Sequence, residues 1–173
     1  AIACEEAIRA GAEVLIRVGT AGSLQDGVRD GDLVIALGAA RSEGTTPRLI
    51  PPELPAIADP DVALALWRAA RAQGVRPHRG TVVTLDLFYR GVLDLRLETY
   101  SRAGALAVEM ECSAVFSVAA LRGARAGAIL AIDGNALKAS SGEYDPHREV
   151  VRRAVDLEIE IALEAVAALA REK

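Results

Sequence analysis

The amino-acid sequence predicts an α/β fold, a layered arrangement in which helices flank a central sheet that is mostly parallel or mixed. Two short apolar runs, residues 14–18 and 128–132, have the nearly continuous hydrophobicity of strands buried on both faces. Near the C-terminus, apolar side chains recur instead at helical spacing, at Val151, Val155, Ile159, Leu163 and Val166. Strand and helix signals alternate along the chain, and this alternation indicates a layered α/β fold.

The N-terminal half is predicted to contain two helices and three strands. Gly11 ends the first helix, because glycine readily adopts the left-handed conformation that follows a helix. Asp59 caps the second helix, Pro60 takes its first position and Gly74 closes it. Residues 41–60 form a long, proline-containing ordered loop, and loops of that length are usually functional. The other predicted elements are a helix at 2–10 and strands at 14–18, 32–38 and 79–85.

The C-terminal half is predicted to contain three helices and two strands. An apolar run ends at residue 109, and an apolar stretch of helical character follows at once. A polar loop at 134–146 leads into the long amphipathic helix that ends the chain. The other predicted elements are a short helix at 93–103, a strand at 105–109, a helix at 111–122 and a strand at 128–132.

Composition and charge exclude several classes of protein. The 173 residues fit one domain, and a hydrophobic content of 51% is ample for a core. A net charge of −4, with both signs mixed, provides no basic stripe for nucleic acid. No apolar stretch approaches the roughly 20 residues of a membrane span. The two cysteines, Cys4 and Cys112, indicate no disulfide framework and favour a reducing cytoplasm. No cluster with metal-ligand spacing is apparent, so no metal is expected.

Two carboxylates lie two residues apart in the segment from Ala107 to Ala114. If residues 105–109 form a strand, Glu109 and Glu111 start on the same face. Ionised carboxylates are costly to bury and accept several hydrogen bonds, so a polyhydroxylated ligand such as a ribose would suit them. The alternative is that Glu111 lies in the first turn of a helix, where the helix dipole favours it, and Glu109 is solvated.

A glycine-containing segment follows the first buried strand. Gly19 and Gly22 would let backbone N–H groups turn inward as an anion-binding nest, and Thr20 adds a hydroxyl donor. Arg17 interrupts the apolar run and needs an anionic partner, for which its planar fork suits phosphate. A turn that merely reverses the chain would have the same glycines. The combination with Arg17 favours an anion site.

Four short motifs follow one another along the chain: Arg17-Val18-Gly19-Thr20-Ala21-Gly22, Asp86-Leu87-Phe88-Tyr89, Val108-Glu109-Met110-Glu111 and Ile132-Asp133-Gly134-Asn135. In this order and spacing they resemble the nucleoside phosphorylase family, which contains the purine nucleoside and uridine phosphorylases. Residues 43–59 are most similar to the uridine branch. The resemblance runs from about Val14 to the C-terminal helix and implies the layered α/β fold of that family.

The resemblance implies a pentosyltransferase that moves the ribosyl group of a nucleoside to inorganic phosphate. Phosphate is a substrate, and no cofactor is implied. Glu111 would hold the ribose hydroxyls, with Met110 and Glu109 alongside. The transition state has oxocarbenium character at C1′, which nearby negative charge and hydrogen bonds to the 2′-hydroxyl stabilise. The implied phosphate-binding residues are Arg17, Gly19 and Thr20.

The resemblance also implies residues that contact the base. Phe88 would pack on the base or sugar, although it could equally be an aromatic side chain of the core. Asp133 would be the general acid that protonates the departing base, since strand C-termini in open α/β sheets line ligand crevices. The alternative for Asp133 is a cap of the following loop. An assisting basic residue is implied downstream, and the candidates are Lys138, Arg148 and Arg152.

The signals for base preference conflict. The uridine branch recognises uracil with a Gln and an Arg just after its Phe-Tyr pair, and Val92 and Asp94 occupy these positions here. Residues 43–59 are nevertheless similar to the uridine branch, whereas Asp133 is typical of the purine branch. Two other functions remain open. One is a nucleosidase of the same fold, which would have no need of Arg17. The other is a catalytically silent nucleoside-binding subunit.

The chain also looks like the C-terminal portion of a nucleoside phosphorylase domain. It begins inside a predicted helix, and the family's upstream strands and Gly-rich phosphate loop have no counterpart in it. Family members complete each site with residues of a neighbouring subunit. We therefore expect a homo-oligomer, a hexamer or a dimer unit of one, with the 41–60 loop near the subunit boundary.

Overall fold

The structure, a computed structural model, describes residues 1–138 and 145–171. The helices in this part of the chain are α1 (Ile2–Arg9), α2 (Pro60–Ala72), α3 (Leu97–Arg102), α4 (Cys112–Arg122) and α5 (Glu149–Arg171). The strands are β1 (Val14–Ser23), β2 (Leu33–Ser42), β3 (Ala56–Ile57), β4 (His78–Leu85), β5 (Ala107–Glu109) and β6 (Arg125–Asn135). The predicted α/β class is confirmed. Residues 139–144 of the polar loop predicted at 134–146 lie outside the described residues.

The strands form one mixed sheet in the order β3-β2-β4-β5-β1-β6, and β6 also pairs with β2. This additional pairing closes β2, β4, β5, β1 and β6 into a ring, with β3 attached to β2 outside it. The pairs β1–β6, β2–β4 and β4–β5 are parallel. The pairs β1–β5, β2–β3 and β2–β6 are antiparallel. The sheet is therefore mixed, one of the two forms that the sequence predicts.

Helices cover two faces of the sheet, and β6 supplies side chains to both. Ile129 of β6 packs with α2 and α5, in a cluster that includes Leu66 and Ile161. Leu130, the next residue, packs on the other face in a cluster that includes Phe116 of α4. Successive side chains of a strand point to opposite faces, so a strand covered on both sides needs a continuous apolar run. None of the helices described here is both long and apolar enough to span a bilayer.

The structure corrects the prediction that β1 ends at residue 18 and is followed by a turn. The strand continues through the glycine-containing segment to Ser23, which lies opposite Asn135 of β6. One irregularity in the parallel register occurs between Ala21 and Gly22. Glycine weakens a strand, but the long parallel ladder with β6 satisfies the backbone here. The predicted nest of inward-turned N–H groups is replaced by a strand whose C-terminal end lines a cavity.

The 41–60 loop is held by hydrogen bonds to the side chains of Glu43 and, at the end of β2, Arg41. Its guanidinium donates to the Thr46 hydroxyl at 2.9 Å and to the carbonyls of Ile50 at 3.0 Å, Pro51 at 2.7 Å and Leu54 at 2.6 Å. Arginine has five donors in a rigid fork, so it can bind several carbonyls at once. These bonds account for the predicted order of the loop.

The caps of α1 and α2 agree with the sequence. The Asp59 carboxylate accepts from the N–H groups of Asp61 and Val62, both at 3.0 Å. Gly11 and Gly74, which follow the two helices, have φ of 102° and 78°. Side chains are strained in this left-handed region, so glycine is the residue that ends both helices cleanly.

Candidate active site

A cavity of about 570 Å³ opens where the C-terminal ends of β1, β5 and β6 meet the segment that follows β4. Its lining includes seven of the eight predicted site residues: Arg17, Thr20, Phe88, Glu109, Met110, Glu111 and Asp133. They come from four motifs spread over more than a hundred residues of sequence. The parallel pairing of β1 with β6, together with the pairing of β1 with β5, gathers three of these motifs at one edge of the sheet.

Glu109 is a fully enclosed carboxylate in the wall of this cavity, and its side chain is 0% exposed. One carboxylate oxygen accepts from the Thr84 hydroxyl at 2.6 Å. The other accepts from the N–H groups of Glu111 and Cys112, both at 2.8 Å. Glu109 thus satisfies two of the free N–H groups where α4 begins. With both oxygens engaged, Glu109 is suited to positioning the Met110-Glu111 segment.

Arg17 lies between the two carboxylates of the Glu109–Glu111 motif. Its Nη2 donates to Glu111 Oε2 at 2.5 Å, and its Nε lies 2.9 Å from Glu109 Oε2. The second contact is an ion pair without an aligned hydrogen bond, because the Nε–H group has no acceptor of suitable geometry within residues 1–138 and 145–171. Burial alone would lower the pKa of Arg17, but Glu109, Cys112 and Glu111 raise it above its ordinary value. The guanidinium therefore stays charged.

Gly19 is the one predicted site residue that does not line the cavity. It lies in β1 two residues after Arg17, on the same side of the strand. A Cβ atom built on Gly19 would overlap Nη1 of Arg17. The glycine is therefore needed to leave space for the guanidinium, which is a different reason from the turn that the sequence suggested.

Glu111 and Met110 are the accessible members of their motif. The Glu111 side chain is 57% exposed, although it follows the fully enclosed Glu109 by only two residues. Met110 is partly exposed. Together with Arg17, these residues also line a second cavity of about 510 Å³, which lies against α1 and α4 and includes Cys4 and Glu43. Arg17 and Glu111 thus stand between two cavities, accessible from both.

Asp133 and Phe88 approach the cavity from different elements. Asp133 belongs to β6 and is buried. Phe88 follows β4, is 59% exposed and makes an edge-to-face contact with Tyr89, with the ring centroids 5.1 Å apart. An aromatic ring this exposed is not a core side chain, so the alternative interpretation of Phe88 is wrong. One flat exposed ring and one buried carboxyl can contact different parts of the same ligand.

The cavity also contains side chains that the sequence did not single out. Tyr89, Arg90 and Asn135 line it, whereas Val92, which occupies an expected uracil-contact position, is fully exposed. Tyr89 and Asn135 are the last residues of two of the four motifs, so the motifs themselves could have indicated these two residues. Arg90 follows Tyr89 directly, but one arginine in a loop carries no signal by itself.

The three candidate assisting bases are not among the residues that line this cavity. Arg148 pairs with Asp30 and bonds the carbonyl of Asp145. Arg152 lies 4.0 Å from Glu149 at the start of α5. Within residues 1–138 and 145–171, no group of three or more His, Cys, Asp or Glu side chains is arranged to hold a metal ion.

This chain is similar in sequence and fold to known proteins. A family model described as the phosphorylase superfamily matches residues 1–168. A guanosine phosphorylase of Halorubrum lacusprofundi is 40% identical over 172 residues, 98% of this chain and 71% of that protein. A purine nucleoside phosphorylase of Plasmodium falciparum is 37% identical, covering 98% of this chain and 69% of its own. A uridine phosphorylase of Thermococcus kodakarensis is 39% identical over 147 residues, 78% of this chain and 53% of that protein.

The structural comparison agrees. A crystal structure of purine nucleoside phosphorylase from Toxoplasma gondii in complex with immucillin-H superposes with a TM-score of 0.95 at 35% identity, over 99% of this chain and 70% of that one. Sequence and fold match over the same extent, so the resemblance read from the four motifs is confirmed. This chain belongs to the phosphorylase superfamily.

Proposed function

We propose that this protein is a nucleoside phosphorylase, which transfers the ribosyl group of a purine nucleoside or uridine to phosphate and releases ribose 1-phosphate and the free base. The observation that carries the proposal is the position of Arg17. It is held between a buried and an exposed carboxylate in the lining of a cavity that Asp133 and Phe88 also line. No cofactor is part of the proposal, because phosphate is itself the second substrate.

Phosphate would bind at Arg17 by exchange of partners. In the structure Arg17 donates to Glu111, whose side chain is exposed. A phosphate oxygen accepting from Nη2 would take the place of Glu111, while the Nε contact with Glu109 keeps the guanidinium in position. The Thr20 hydroxyl supplies a further donor. Phosphate binding would then release the Glu111 carboxylate toward the ribose.

Glu111 would hold the ribose hydroxyls once it has been released from Arg17. As C1′ becomes positive in the transition state, the acidity of the 2′-hydroxyl increases and its hydrogen bond to a carboxylate strengthens. Met110 packs beside the sugar. Glu109 keeps its bonds to the backbone N–H groups of Glu111 and Cys112, so the segment that holds the sugar stays fixed.

The base would lie between Phe88 and Asp133. Stacking on an aromatic ring contributes roughly 1–3 kcal/mol per base. As a phosphate oxygen forms its bond to C1′, the bond from C1′ to the base nitrogen breaks and its electron pair leaves with the base. A proton from Asp133 to a purine ring nitrogen neutralises that charge, which is the work of a general acid.

A requirement for phosphate is the first expected result. Base release from inosine and from uridine should proceed in phosphate buffer and stop in a phosphate-free buffer, measured by ultraviolet absorbance or chromatography of the free base. Ribose 1-phosphate should form in equal amount. Equal rates in both buffers would instead establish the nucleosidase. No base release in either buffer, with nucleoside still bound, would identify a silent binding subunit.

Broad specificity for the base is the second expected result. We expect both uridine and 6-oxopurine nucleosides to be cleaved, because a site without a uracil-specific pair discriminates weakly. Asp133→Asn should impair inosine cleavage far more than uridine cleavage, since the proton goes to a purine nitrogen. The measurement is kcat/KM for both substrates, with the exposed Asp156→Asn as the matched control. Equal losses on both substrates would exclude Asp133 as a purine-specific donor, and a strict preference of the wild type would exclude broad specificity.

Assembly into an oligomer is the third expected result. We propose a homo-oligomer, a hexamer or a dimer unit of one, with the 41–60 loop near the subunit boundary. Three large apolar side chains of that loop are exposed, Leu49, Leu54 and Ile57, and such a group is typical of an interface. Light scattering at micromolar concentration should give a mass of at least two chains, and a monomer would contradict the proposal.

The free cysteines Cys4 and Cys112 are consistent with a cytoplasmic protein, which we also propose.

A further inference from the structure

Glu158 is a buried carboxyl group in α5 that none of the proposed catalytic steps uses. The residue is 1% exposed, and neither carboxyl oxygen has a hydrogen-bond partner among the described residues. Acidic side chains are almost never fully buried unless they are paired, so this one requires an explanation. Glutamate favours helices, but a helix needs no glutamate on its inward face. The explanation must lie in what α5 packs against.

Glu158 faces two neighbouring strands, β6 and the strand β1 that carries Arg17. The backbone N–H groups of Ala131 in β6 and Gly19 in β1 lie close enough to act on the carboxyl, and so does the charge of Arg17. α5 packs on the face of the sheet where Ile16 is found. Alternation along β1 places Arg17 on the opposite face. Glu158 therefore lies behind the strand that presents Arg17 to the cavity.

The surroundings keep Glu158 protonated near neutral pH. Burial raises the pKa of its carboxyl to about 8, although the N–H groups of Ala131 and Gly19 and the charge of Arg17 act in the opposite direction. A neutral carboxyl adds no negative charge behind Arg17. An ionised one would add a third carboxylate to the two that already neutralise this guanidinium.

We propose that Glu158, buried behind β1 without a hydrogen-bond partner among the described residues, is a positioning residue for the phosphate site: uncharged, it leaves the positive charge of Arg17 available to phosphate, and its ionisation weakens phosphate binding. The inference rests on the proposed function, in which Arg17 binds phosphate. It goes further by naming a residue that never touches the substrate and by linking phosphate affinity to one proton. The charges of Glu158 and Arg17 interact across β1 in the protein interior, where the dielectric constant is low and charges interact more strongly than in water.

The effects of other charged groups near α5 must be distinguished from the effect of Glu158. β1 contributes Arg17, and β6 contributes Asp133, two residues beyond Ala131. α2 contributes Asp61 and Arg68, which line a groove against α5 together with Glu164 and Arg171 of α5 itself. All of these remain in a variant that changes Glu158 alone. The difference between that variant and the wild type therefore isolates the proton on Glu158.

The test is the affinity for inorganic phosphate as a function of pH. Isothermal titration calorimetry from pH 7.5 to 9.5 would compare the wild type with Glu158→Gln, which retains the shape and stays neutral. Wild-type affinity should fall roughly tenfold across this range, about the effect of one added charge nearby. Glu158→Gln should change far less, and the exposed Glu160→Gln should follow the wild type.

Parallel curves for the wild type and Glu158→Gln would overturn the inference, as would an absence of phosphate binding by the wild type. If Glu158→Gln does not fold, Glu158→Met, which is neutral and of similar length, replaces it in the same comparison. Binding is measured without nucleoside, so failure of the proposed function has a separate signature. Phosphate that binds with the expected pH dependence, but with no base released, would remove phosphorolysis and keep the role of Glu158.

Discussion

Replacing Arg17 with methionine should lower the free energy of unfolding by about 3–5 kcal/mol, the typical cost of removing one partner of a buried ion pair. The Arg17 side chain is 13% exposed and its partner Glu109 is fully enclosed, so the enclosed carboxylate would lose its ion pair with the guanidinium. Phosphorolysis should be lost at the same time, because the proposed phosphate ligand is gone. Urea unfolding and initial rates with inosine measure the two effects.

Glu111→Gln is the matched comparison, because it removes the exposed partner of the same arginine. Its folding stability should change little, since pairs with an exposed partner contribute weakly. Its kcat/KM should fall by the equivalent of about 2–4 kcal/mol of transition-state stabilisation, which is typical of the loss of an oriented active-site contact. The double variant Arg17→Met with Glu109→Gln should regain part of the lost stability, because the buried charge is removed too. Stability losses of equal size for Arg17→Met and Glu111→Gln would show that burial does not distinguish the two pairs.

A pH-dependent gain in stability is the second large effect, expected for Glu158→Gln. The pKa of Glu158 is about 8 in the folded protein and near the ordinary 4.5 when unfolded. Between these values the folded chain holds a proton that the unfolded chain has released, so wild-type stability falls as the pH rises and levels off above about 8. Glutamine has no proton to lose. The variant should match the wild type near pH 4.5 and exceed it by roughly 3–5 kcal/mol at pH 8.

Urea unfolding at several pH values between 4.5 and 9 tests this expectation. The informative quantity is the difference between variant and wild type at each pH, because other titrating groups affect both alike. Glu160→Gln, an exposed change in the same helix, should show no such trend. A difference that stays constant with pH would mean that Glu158 titrates at its ordinary pKa and is not held neutral by the fold.

Several features of the fold followed directly from local sequence. Residues 128–132 predicted a strand covered on both faces, and alternate side chains of β6 do enter two separate clusters. Asp59 and Pro60 predicted the start of α2, and the Asp59 cap is formed. These predictions succeeded because each depends on neighbours in sequence: apolar periodicity in one case, and the free N–H groups of a first helical turn in the other.

The structure differs from the prediction at the glycine-containing segment after residue 18, and the reason is physical. Glycine after an apolar run indicates a turn when only the local chain is considered. Here β6 runs parallel to β1 as far as Ser23 and supplies backbone partners for a strand that would be weak alone. Gly19 is required by the guanidinium of Arg17, a contact between side chain and backbone that no local pattern records.

The sequence by itself determined the α/β class, the family through its four motifs, and the residue types that gather at the cavity, because these depend on local pattern and on chemistry. Tertiary structure alone decided how the carboxylates differ. Glu109 and Glu111 are two residues apart, yet one is enclosed by Thr84 and the start of α4 and the other is exposed. It also decided that Glu158 is buried behind β1 with no hydrogen-bond partner among the residues that the structure describes. Burial and charge neighbours come from elements distant in sequence, and these set the pKa and the role of each carboxyl group.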